Sequence, residues 1–346
     1  MDTKQDLETM LQRIHSPAFL TCDGIITAVN QGAQARFLSV GTAVASILVT
    51  GQEEFADFQN GNLFLQISVA GSAYDCTVTH LDQFLLFTIE EDTGIAQLQV
   101  LSLAAQQLSM PIAEISLLVE QIQELADSQK SQLNKNLFRL MRMIGNMSDT
   151  AQYASARPRL ATCEVCAIFA ETLEKAKALL AESNIPVVYR IPDQRVYTLA
   201  NAELLKRAVY NLLSNAAKFS QAGETVEATL KRSGNKLYFT VVGGSCKITG
   251  DLFHRYNRQP ALESRELGLG LGMALIRSAA TAHSGAVLIE QPTGGKVKIT
   301  MTLSIQDCKN ADVRSPILIP DLYGGNDQAL VELSDVLPHQ LYNKEH

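Results

Sequence analysis

The spacing of apolar residues changes twice along the chain, and each change predicts a new structural unit. In the first 92 residues, short apolar runs alternate with polar positions and turn residues. The clearest signal is Asp23-Gly24 between the apolar runs Ala18–Leu20 and Ile25–Val29, since an Asp-Gly turn in that setting is typical of a β-hairpin. Helices are also predicted at 6–14 and 30–37, and antiparallel strands at 63–69, 74–80 and 84–89. Residues 1–92 are therefore predicted to form a small α+β unit.

Residues 93–157 have the apolar period of helices. A polar break at 126–129 separates two stretches in which apolar residues recur every three or four positions. These residues are Leu101, Ala105, Leu108, Ile112, Ile115, Val119, Ile122 and Leu125, then Leu133, Leu137, Leu140, Ile144, Met147 and Ala151. Two long helices joined by a short turn form an αα-hairpin. Because one hairpin cannot cover both stripes, we expect two copies to form a four-helix bundle; a packed helical pair inside a monomer is the alternative.

Residues 158–305 have an α/β pattern, and the tail that follows does not. The pattern predicts helices at 165–183, 203–219 and 272–283, and strands at 187–190, 224–231, 236–242, 286–291 and 296–303. The tail, 306–346, contains a proline-bracketed apolar stretch at Pro316–Pro320 and weak periodicity around Ala329–Leu333. The sequence assigns it no role.

Charge and composition exclude several classes of function. The chain has 346 residues and a formal net charge of -7, which argues against nucleic acid as a main partner. It has no apolar run long enough to span a bilayer, and its N-terminus does not have the pattern of a signal peptide, so we expect a cytoplasmic location. The six cysteines do not form a disulfide framework pattern. Cys163 and Cys166 have the spacing of a metal or redox motif, but with no second pair nearby a structural role is favoured.

One predicted helix carries polar residues along an otherwise apolar sequence. Asn211, Asn215 and Lys218 fall on one face, at i, i+4 and i+7. Two amides and an ammonium group are unfavourable to bury without partners. An amide oxygen can ligate Mg²⁺ and a lysine can neutralise a phosphate, so this face is a candidate nucleotide site. A polar network inside the core is the alternative.

Alternating glycines supply a second candidate element. Gly268, Gly270 and Gly272 lead into the helix predicted at 272–283. Glycines at a helix N-terminus allow backbone N–H groups to approach a phosphate closely. The repeat is not of the dinucleotide-binding kind, because it does not follow the first strand of a βαβ unit.

Taken together, the two elements carry a family resemblance. The stretches NLLSNAAKFS (211–220), LFHRYNR (252–258) and GLGLGMALIRSAATAHSG (268–285) resemble the N-, F- and G2-boxes of the GHKL ATPases found in sensor histidine kinases. The resemblance implies that Asn215, supported by Asn211, holds Mg²⁺ with ATP, that Lys218 faces the phosphates, and that Gly268, Gly270 and Gly272 shape the ATP lid. His283 and Gly285 match a histidine–glycine pair of the family, for which a structural role is favoured.

The N-terminal unit and the hairpin fit the same layout. FLTCDGIITAVNQGAQARF (19–37) resembles a PAS sensor domain, with no recognisable haem or flavin ligand; His15 and His80 are expected to be ordinary histidines. The predicted fold is multidomain α+β: a PAS-like sensor at 1–92, a two-helix dimerisation hairpin at 93–157 and a GHKL (Bergerat-type) α/β sandwich at 158–305. The resemblance implies a homodimer in a two-component system, with a response regulator or an active histidine kinase as partner.

The chain departs from the family at the reacting groups. In the phosphoacceptor motif, Gln106 occupies the histidine position, Gln107 the position of the acidic base and Met110 that of the residue that orients water. Leu108, Pro111 and Ile112 keep the frame of the motif, and Pro111 is expected to bend the helix.

The adenine-contacting motif departs as well. Gly243 replaces its aspartate, and Ser245 and Lys247 replace its glycines. Losing the charge-assisted hydrogen bond to adenine weakens binding by about 1.5–3 kcal/mol, roughly ten- to a hundredfold. The leading hypothesis is a pseudokinase that signals by conformation, dimerisation or docking. The alternatives are a kinase that phosphorylates a partner in trans, and a dimeric scaffold that senses a small molecule.

Overall fold

The computed structural model describes residues 3–90, 95–122, 126–155, 158–244, 271–291, 295–306 and 326–343. Its elements alternate between helices and strands as expected for a multidomain α+β chain. None of the described helices is both long enough and apolar enough to cross a membrane.

The N-terminal unit is a five-stranded antiparallel sheet with short helices. Its elements are α1 (Thr3–Gln12), β1 (Ala18–Cys22), β2 (Ile25–Val29), α2 (Gln31–Ala35), α3 (Gln52–Ala56), β3 (Asn62–Val69), β4 (Ser72–Leu81) and β5 (Phe84–Ile89). The strand order is β2-β1-β5-β4-β3. The predicted hairpin is confirmed: β1 and β2 pair antiparallel, and both Asp23 and Gly24 have positive φ. Phe19 stacks on Phe87 in the core, with ring centroids 4.6 Å apart.

The central hairpin consists of two long helices, α4 (Ile95–Gln121) and α5 (Asp127–Ser155). Their shared seam is a compact apolar cluster of Ala105, Ile112, Val119, Leu137 and Ile144. The three α4 members are seven residues apart, as in coiled-coil packing. Pro111 lies inside α4, whose helical hydrogen bonding continues on both sides of it. The predicted αα-hairpin is therefore confirmed.

In its described residues, the C-terminal unit contains three helices and the strands of two sheets. Its elements are β6 (Ala161–Glu164), α6 (Val165–Ala181), β7 (Val187–Arg190), β8 (Tyr197–Ala200), α7 (Ala202–Phe219), β9 (Val226–Ser233), β10 (Lys236–Gly243), α8 (Leu271–Ala282), β11 (Val287–Glu290) and β12 (Val297–Ser304). β6 and β8 form a separate two-stranded sheet that the sequence analysis missed. α6, α7 and α8 bury their apolar sides on the larger sheet, where Phe169 contacts Phe239 with centroids 4.8 Å apart.

The N-terminal and C-terminal units share one sheet. β3 pairs antiparallel with β11, which joins them into a ten-stranded sheet of order β2-β1-β5-β4-β3-β11-β12-β10-β9-β7. Gly61 permits this approach, since a Cβ there would lie 2.1 Å from the Ile289 carbonyl oxygen. Glu54 strengthens the junction by accepting hydrogen bonds from Lys236 Nζ and the Thr302 hydroxyl, each at 2.6 Å.

The C-terminal tail contributes to the main core. Residues 326–343, here called the C-terminal strap, contain α9 (Gln328–Glu332) and a 3-10 turn at His339–Tyr342. The strap buries five apolar side chains in the core formed by α6 and α7: Ala329, Val331, Leu333, Leu337 and Tyr342. It also packs against α5. This part of the tail, to which the sequence assigned no role, therefore connects the hairpin with the C-terminal unit.

Candidate functional site

The N-terminus of α7 is fixed by a buried histidine. Asn201 caps the helix by accepting a hydrogen bond from Leu204 N at 2.9 Å. The backbone N–H of Asn201 donates to His283 Nε2 at 3.0 Å, and His283 Nδ1 lies 2.6 Å from the Ala279 carbonyl oxygen. With Nε2 accepting, Nδ1 carries the proton and donates it to that carbonyl. Burial lowers the pKa of His283, which keeps the ring neutral. His283 thus has the structural role that the sequence favoured.

The structure also explains why residue 285 is a glycine. A Cβ at this position would lie 1.8 Å from the Thr302 carbonyl oxygen, so only glycine permits the contact between the end of α8 and β12.

Asn211 is the centre of the polar face of α7, and it is fully buried. Its Oδ1 accepts a hydrogen bond from Arg142 Nη2 on α5 at 3.0 Å. Its Nδ2 donates to Glu332 Oε2 of the C-terminal strap at 3.0 Å and to the Arg207 carbonyl oxygen at 2.9 Å. Both ends of the amide therefore have protein partners, and none of its surface is exposed. At Asn211 the structure contains the core polar network that the sequence analysis left open as the alternative.

Charged residues extend this network in both directions. Arg207 on α7 donates from Nε to Glu332 Oε1 at 2.6 Å and from Nη2 to Asn146 Oδ1 at 3.0 Å, and it forms an ion pair with Asp149. Arg142 donates to the Ser214 hydroxyl at 3.0 Å. Buried charges are tolerated when they are paired and hydrogen-bonded in this way. The network consequently ties α5, α7 and α9 to one another.

Asp335, the strap's other carboxylate in this network, lies nearer the surface than Glu332. Asp335 accepts from Arg142 Nη1 at 2.9 Å and from Arg139 Nε at 3.1 Å. Burial alone raises the pKa of Asp335, but Arg142, Arg139 and Lys218 outweigh it and bring that pKa below its usual value. Asp335 therefore stays ionised as the partner of the arginines.

The other predicted site residues lie at or near the same face. Asn215 and Lys218 are half-buried on α7, and Lys218 acts electrostatically on Asp335. Gly272 lies in the first turn of α8 directly against Asn211, since a Cβ there would be 2.6 Å from Asn211 Oδ1. Gly268 and Gly270 lie outside the described residues, as do Ser245, Lys247 and the 252–258 motif. The structure thus brings Asn211 and Gly272 together.

The position of the missing aspartate is tightly enclosed. A Cβ on Gly243 would lie 3.1 Å from Val226 Cγ2 and 3.3 Å from Ala216 Cβ. The next residue, Gly244, has φ of +72°, and its N–H donates to the Ser220 hydroxyl at 3.0 Å. The C-terminal end of α7 therefore packs directly on the end of β10. A side chain larger than glycine at 243 would have to displace one of these neighbours.

A Mg²⁺–nucleotide held by both asparagines does not fit this arrangement. Asn215 and Lys218 have exposed surface to offer a ligand, whereas Asn211 is enclosed by Arg142, Glu332 and Gly272. Asn211 can reach a ligand only after α5 and the C-terminal strap have moved.

The histidine-less motif lies on α4. Gln106 is part of the helix, in the turn before Pro111. Gln107 is exposed, and Met110 is 71% exposed. Ile112 faces α5 in the seam, while Leu108 lies on the open side of α4. The retained frame residues are therefore divided between the two sides of the helix.

The cysteine pair has local structural contacts. The thiol of Cys163 on β6 contacts the Ala200 carbonyl oxygen of β8 at 3.5 Å. Cys166 lies in the first turn of α6, where Glu164 accepts hydrogen bonds from the backbone N–H groups of Cys166 and Ala167. Within the described ranges no cluster of three or more histidine, cysteine, aspartate or glutamate side chains has the geometry to hold a metal ion.

Sequence reasoning missed Arg142, Arg207 and Glu332. Arg142 and Glu332 lie 69 and 121 residues from Asn211 along the chain, so no local spacing relates them to it. One usable signal was Arg207, a charged residue on the same helical face as Asn211 and four positions earlier.

Comparison with known proteins assigns the C-terminal unit. Residues 200–307 match the family of histidine kinase-, DNA gyrase B- and HSP90-like ATPases. The chain is 28% identical over 226 residues to the sensor-like histidine kinase SenX3 of Mycolicibacterium smegmatis, covering 61% of this chain and 58% of that protein. It is 27% identical over 216 residues to the adaptive-response sensory kinase SasA of Crocosphaera subtropica, covering 57% and 56%. The chain therefore spans less than two thirds of either relative.

Solved structures of histidine kinases are also similar. Full-length ShkA in complex with AMPPNP has a TM-score of 0.48 at 18% identity, covering 62% of this chain and 47% of that one. ThkA in complex with the response regulator protein TrrA has a TM-score of 0.43 at 14% identity, covering 86% and 98%. From the family match and the curated relatives, residues 200–307 belong to the histidine kinase-, DNA gyrase B- and HSP90-like ATPases, and the chain is similar to sensor histidine kinases over 57–61% of its length.

Proposed function

We propose that this chain is a histidine-kinase homologue that has lost phosphotransfer and acts in signal transduction through its conformation, its dimerisation and the docking of a partner. The observation that carries the proposal is Gln106 on α4, within a segment, 93–157, that contains no histidine. Phosphotransfer to this helix requires an imidazole lone pair, and a glutamine amide is not a competent nucleophile. Gln107 likewise lacks the carboxylate of a general base.

The direct test is phosphate incorporation into the full chain. We expect its intact mass to stay unchanged after incubation with Mg²⁺·ATP. An added phosphoryl group that mild acid removes would contradict the proposal.

Dimerisation through the hairpin is supported by a second apolar stripe. Leu108 and Ile115 on α4, Ile122 directly after it, and Leu133 and Leu140 on α5 are exposed and lie seven residues apart within each group. These positions do not face the α4–α5 seam, so a second copy could cover them in a four-helix bundle. Light scattering of the native chain should give twice the chain mass, and Ile115→Glu should give the single mass. Val188→Glu, an equally exposed apolar position on β7, is the matched control and should leave the dimer intact.

The second candidate function is phosphorylation of a partner in trans. It is supported by the match of residues 200–307 to the ATPase family and by the accessible positions of Asn215 and Lys218. Calorimetric titration with ATP, with and without Mg²⁺, tests it. Mg²⁺-dependent heat that Asn215→Ala abolishes and Asn235→Ala in the β9–β10 turn preserves would favour this function. The absence of heat at high ATP concentration would exclude it.

The remaining expectations stay predictions. They are the PAS-like identity of the N-terminal unit, its sensing of a small molecule, the response regulator or active kinase as partner, the domain boundaries and the cytoplasmic location.

A further inference from the structure

The C-terminal strap packs along one face of α5. The residues of this face recur every three or four positions, and the strap contacts each of them: Ser131, Asn134, Phe138 and Arg142. Asn134 Nδ2 donates to the Tyr342 carbonyl oxygen at 3.0 Å, and the Tyr342 ring meets Phe138 edge-on at 4.9 Å between centroids. The contact thus combines a continuous helix face with both polar and aromatic anchors.

The opposite side of the strap is anchored in the C-terminal unit. Ser183 donates to the Val336 carbonyl oxygen at 3.0 Å, and Lys175 on α6 pairs with Asp327 at 2.6 Å. Leu333 and Leu337 are fully buried in the domain core. The strap therefore bridges two parts of the molecule that also touch each other through α5 and α7.

The strap supplies carboxylates that neutralise charge at the contact between α5 and α7. Arg142 of α5 and Arg207 of α7 both lie within hydrogen-bonding distance of the Asn211–Glu332 pair. The strap supplies Glu332 to both arginines and Asp335 to Arg142. If the strap leaves, Arg142 loses both of its carboxylates, whereas Arg207 loses Glu332 and keeps Asp149 of α5. The uncompensated charge of Arg142, desolvated beside Arg207, then favours separation of α5 from α7.

We propose that the C-terminal strap is an autoinhibitory clip: while Glu332 and Asp335 pair with Arg207 and Arg142, α5 covers the Asn211 face of α7, and release of the strap uncovers it. The ligand that would then reach Asn211 is a nucleotide with Mg²⁺, and this part rests on the nucleotide-binding candidate function above. The other part of the proposal, that the strap clamps α5 against α7, requires no ligand.

Hydrogen exchange of the full chain tests the clamp without a ligand. Asp335→Asn keeps the side-chain shape and removes the charge, and Tyr342→Ala removes the aromatic anchor. In both variants, amides of 131–149 and 202–219 should exchange at least about tenfold faster than in the native chain. Asp193→Asn, the same charge change at an exposed position, should leave them unchanged. Faster exchange of the strap alone, with α5 and α7 at native rates, would overturn the clamp.

Calorimetry with Mg²⁺·ATP on the same proteins tests what the clamp excludes. We expect Asp335→Asn and Tyr342→Ala to bind about tenfold more tightly than the native chain or Asp193→Asn. Equal affinity in all four proteins would overturn the autoinhibitory role. If no protein binds ATP, the nucleotide-binding function and the exclusion of nucleotide by the strap both fail, while the exchange rates still decide the clamp.

Discussion

Arg142 Nη2 on α5 donates a 3.0 Å hydrogen bond to Asn211 Oδ1 on α7. This bond joins the hairpin to the helix that carries the predicted nucleotide-site residues Asn211, Asn215 and Lys218. Its partners are both buried, and Glu332 of the strap binds the other end of the same amide. The C-terminal unit, the hairpin and the C-terminal strap are therefore held in one arrangement by a few buried polar groups.

The two arginines that bind Asp335 should differ sharply in their contribution to stability. Arg142 has 7% of its side chain exposed and Arg139 has 43%. Arg142→Ala removes the buried donor to Asn211 Oδ1 and the Ser214 hydroxyl and the buried ion-pair partner of Asp335, so the free energy of unfolding should fall by about 3–5 kcal/mol. Arg139→Ala removes a largely solvated pair and should lower it by at most about 1 kcal/mol. Urea denaturation of the full chain measures both, and equal losses would show that the buried network does not stabilise the fold.

Alanine substitutions at two glycines test the pairing of β3 with β11 in the shared sheet. Gly61 and Gly71 both have positive φ, so alanine at either position introduces backbone strain of about 1–3 kcal/mol. At Gly61 the new Cβ would also collide with the Ile289 carbonyl oxygen, whereas at Gly71 nothing lies within 4 Å. Gly61→Ala should therefore lower the free energy of unfolding by about 1–3 kcal/mol more than Gly71→Ala.

Hydrogen exchange shows where this difference arises. The amides of β3 and β11 should lose protection in Gly61→Ala and keep it in Gly71→Ala. Native protection of both strands in Gly61→Ala would argue against β3–β11 pairing in solution.

His283 should make stability depend on pH. Burial lowers its pKa in the folded chain, so folding favours the neutral ring. This contribution is fully present above the unfolded pKa of about 6.5 and is lost as the pH falls through that value toward the folded pKa. The free energy of unfolding should therefore fall between pH 7 and pH 5 by more in the native chain than in His283→Gln. Parallel pH profiles for the two proteins would show that the His283 ring does not couple folding to protonation.

The sequence predicted what local pattern determines. Apolar periodicity located α4, α5 and α7, and the Asp23-Gly24 turn located the first hairpin, because each signal is contained within one element. β6 and β8 have only four residues each, too few for an alternation to be recognised. The strap was missed for a different reason. α9 has five residues, and its burial depends on α5, α6 and α7 rather than on any pattern of its own.

The candidate site shows the same limit. Asn211 was identified from its helical face, and a nucleotide site and a core polar network were both consistent with that face. The partners that enclose Asn211, Arg142 and Glu332, come from distant parts of the chain. Only the folded arrangement brings them together.

Incubation of the native chain with labelled Mg²⁺·ATP tests the central claim most directly, with Gln106→His in a parallel reaction. We expect the native chain, with Gln106, to acquire no acid-labile phosphate, since α4 contains no histidine to receive it. Gln106→His shows whether the ATPase domain can still deliver a phosphoryl group to that position. Acid-labile labelling of the native chain would contradict the claim that this homologue has lost phosphotransfer.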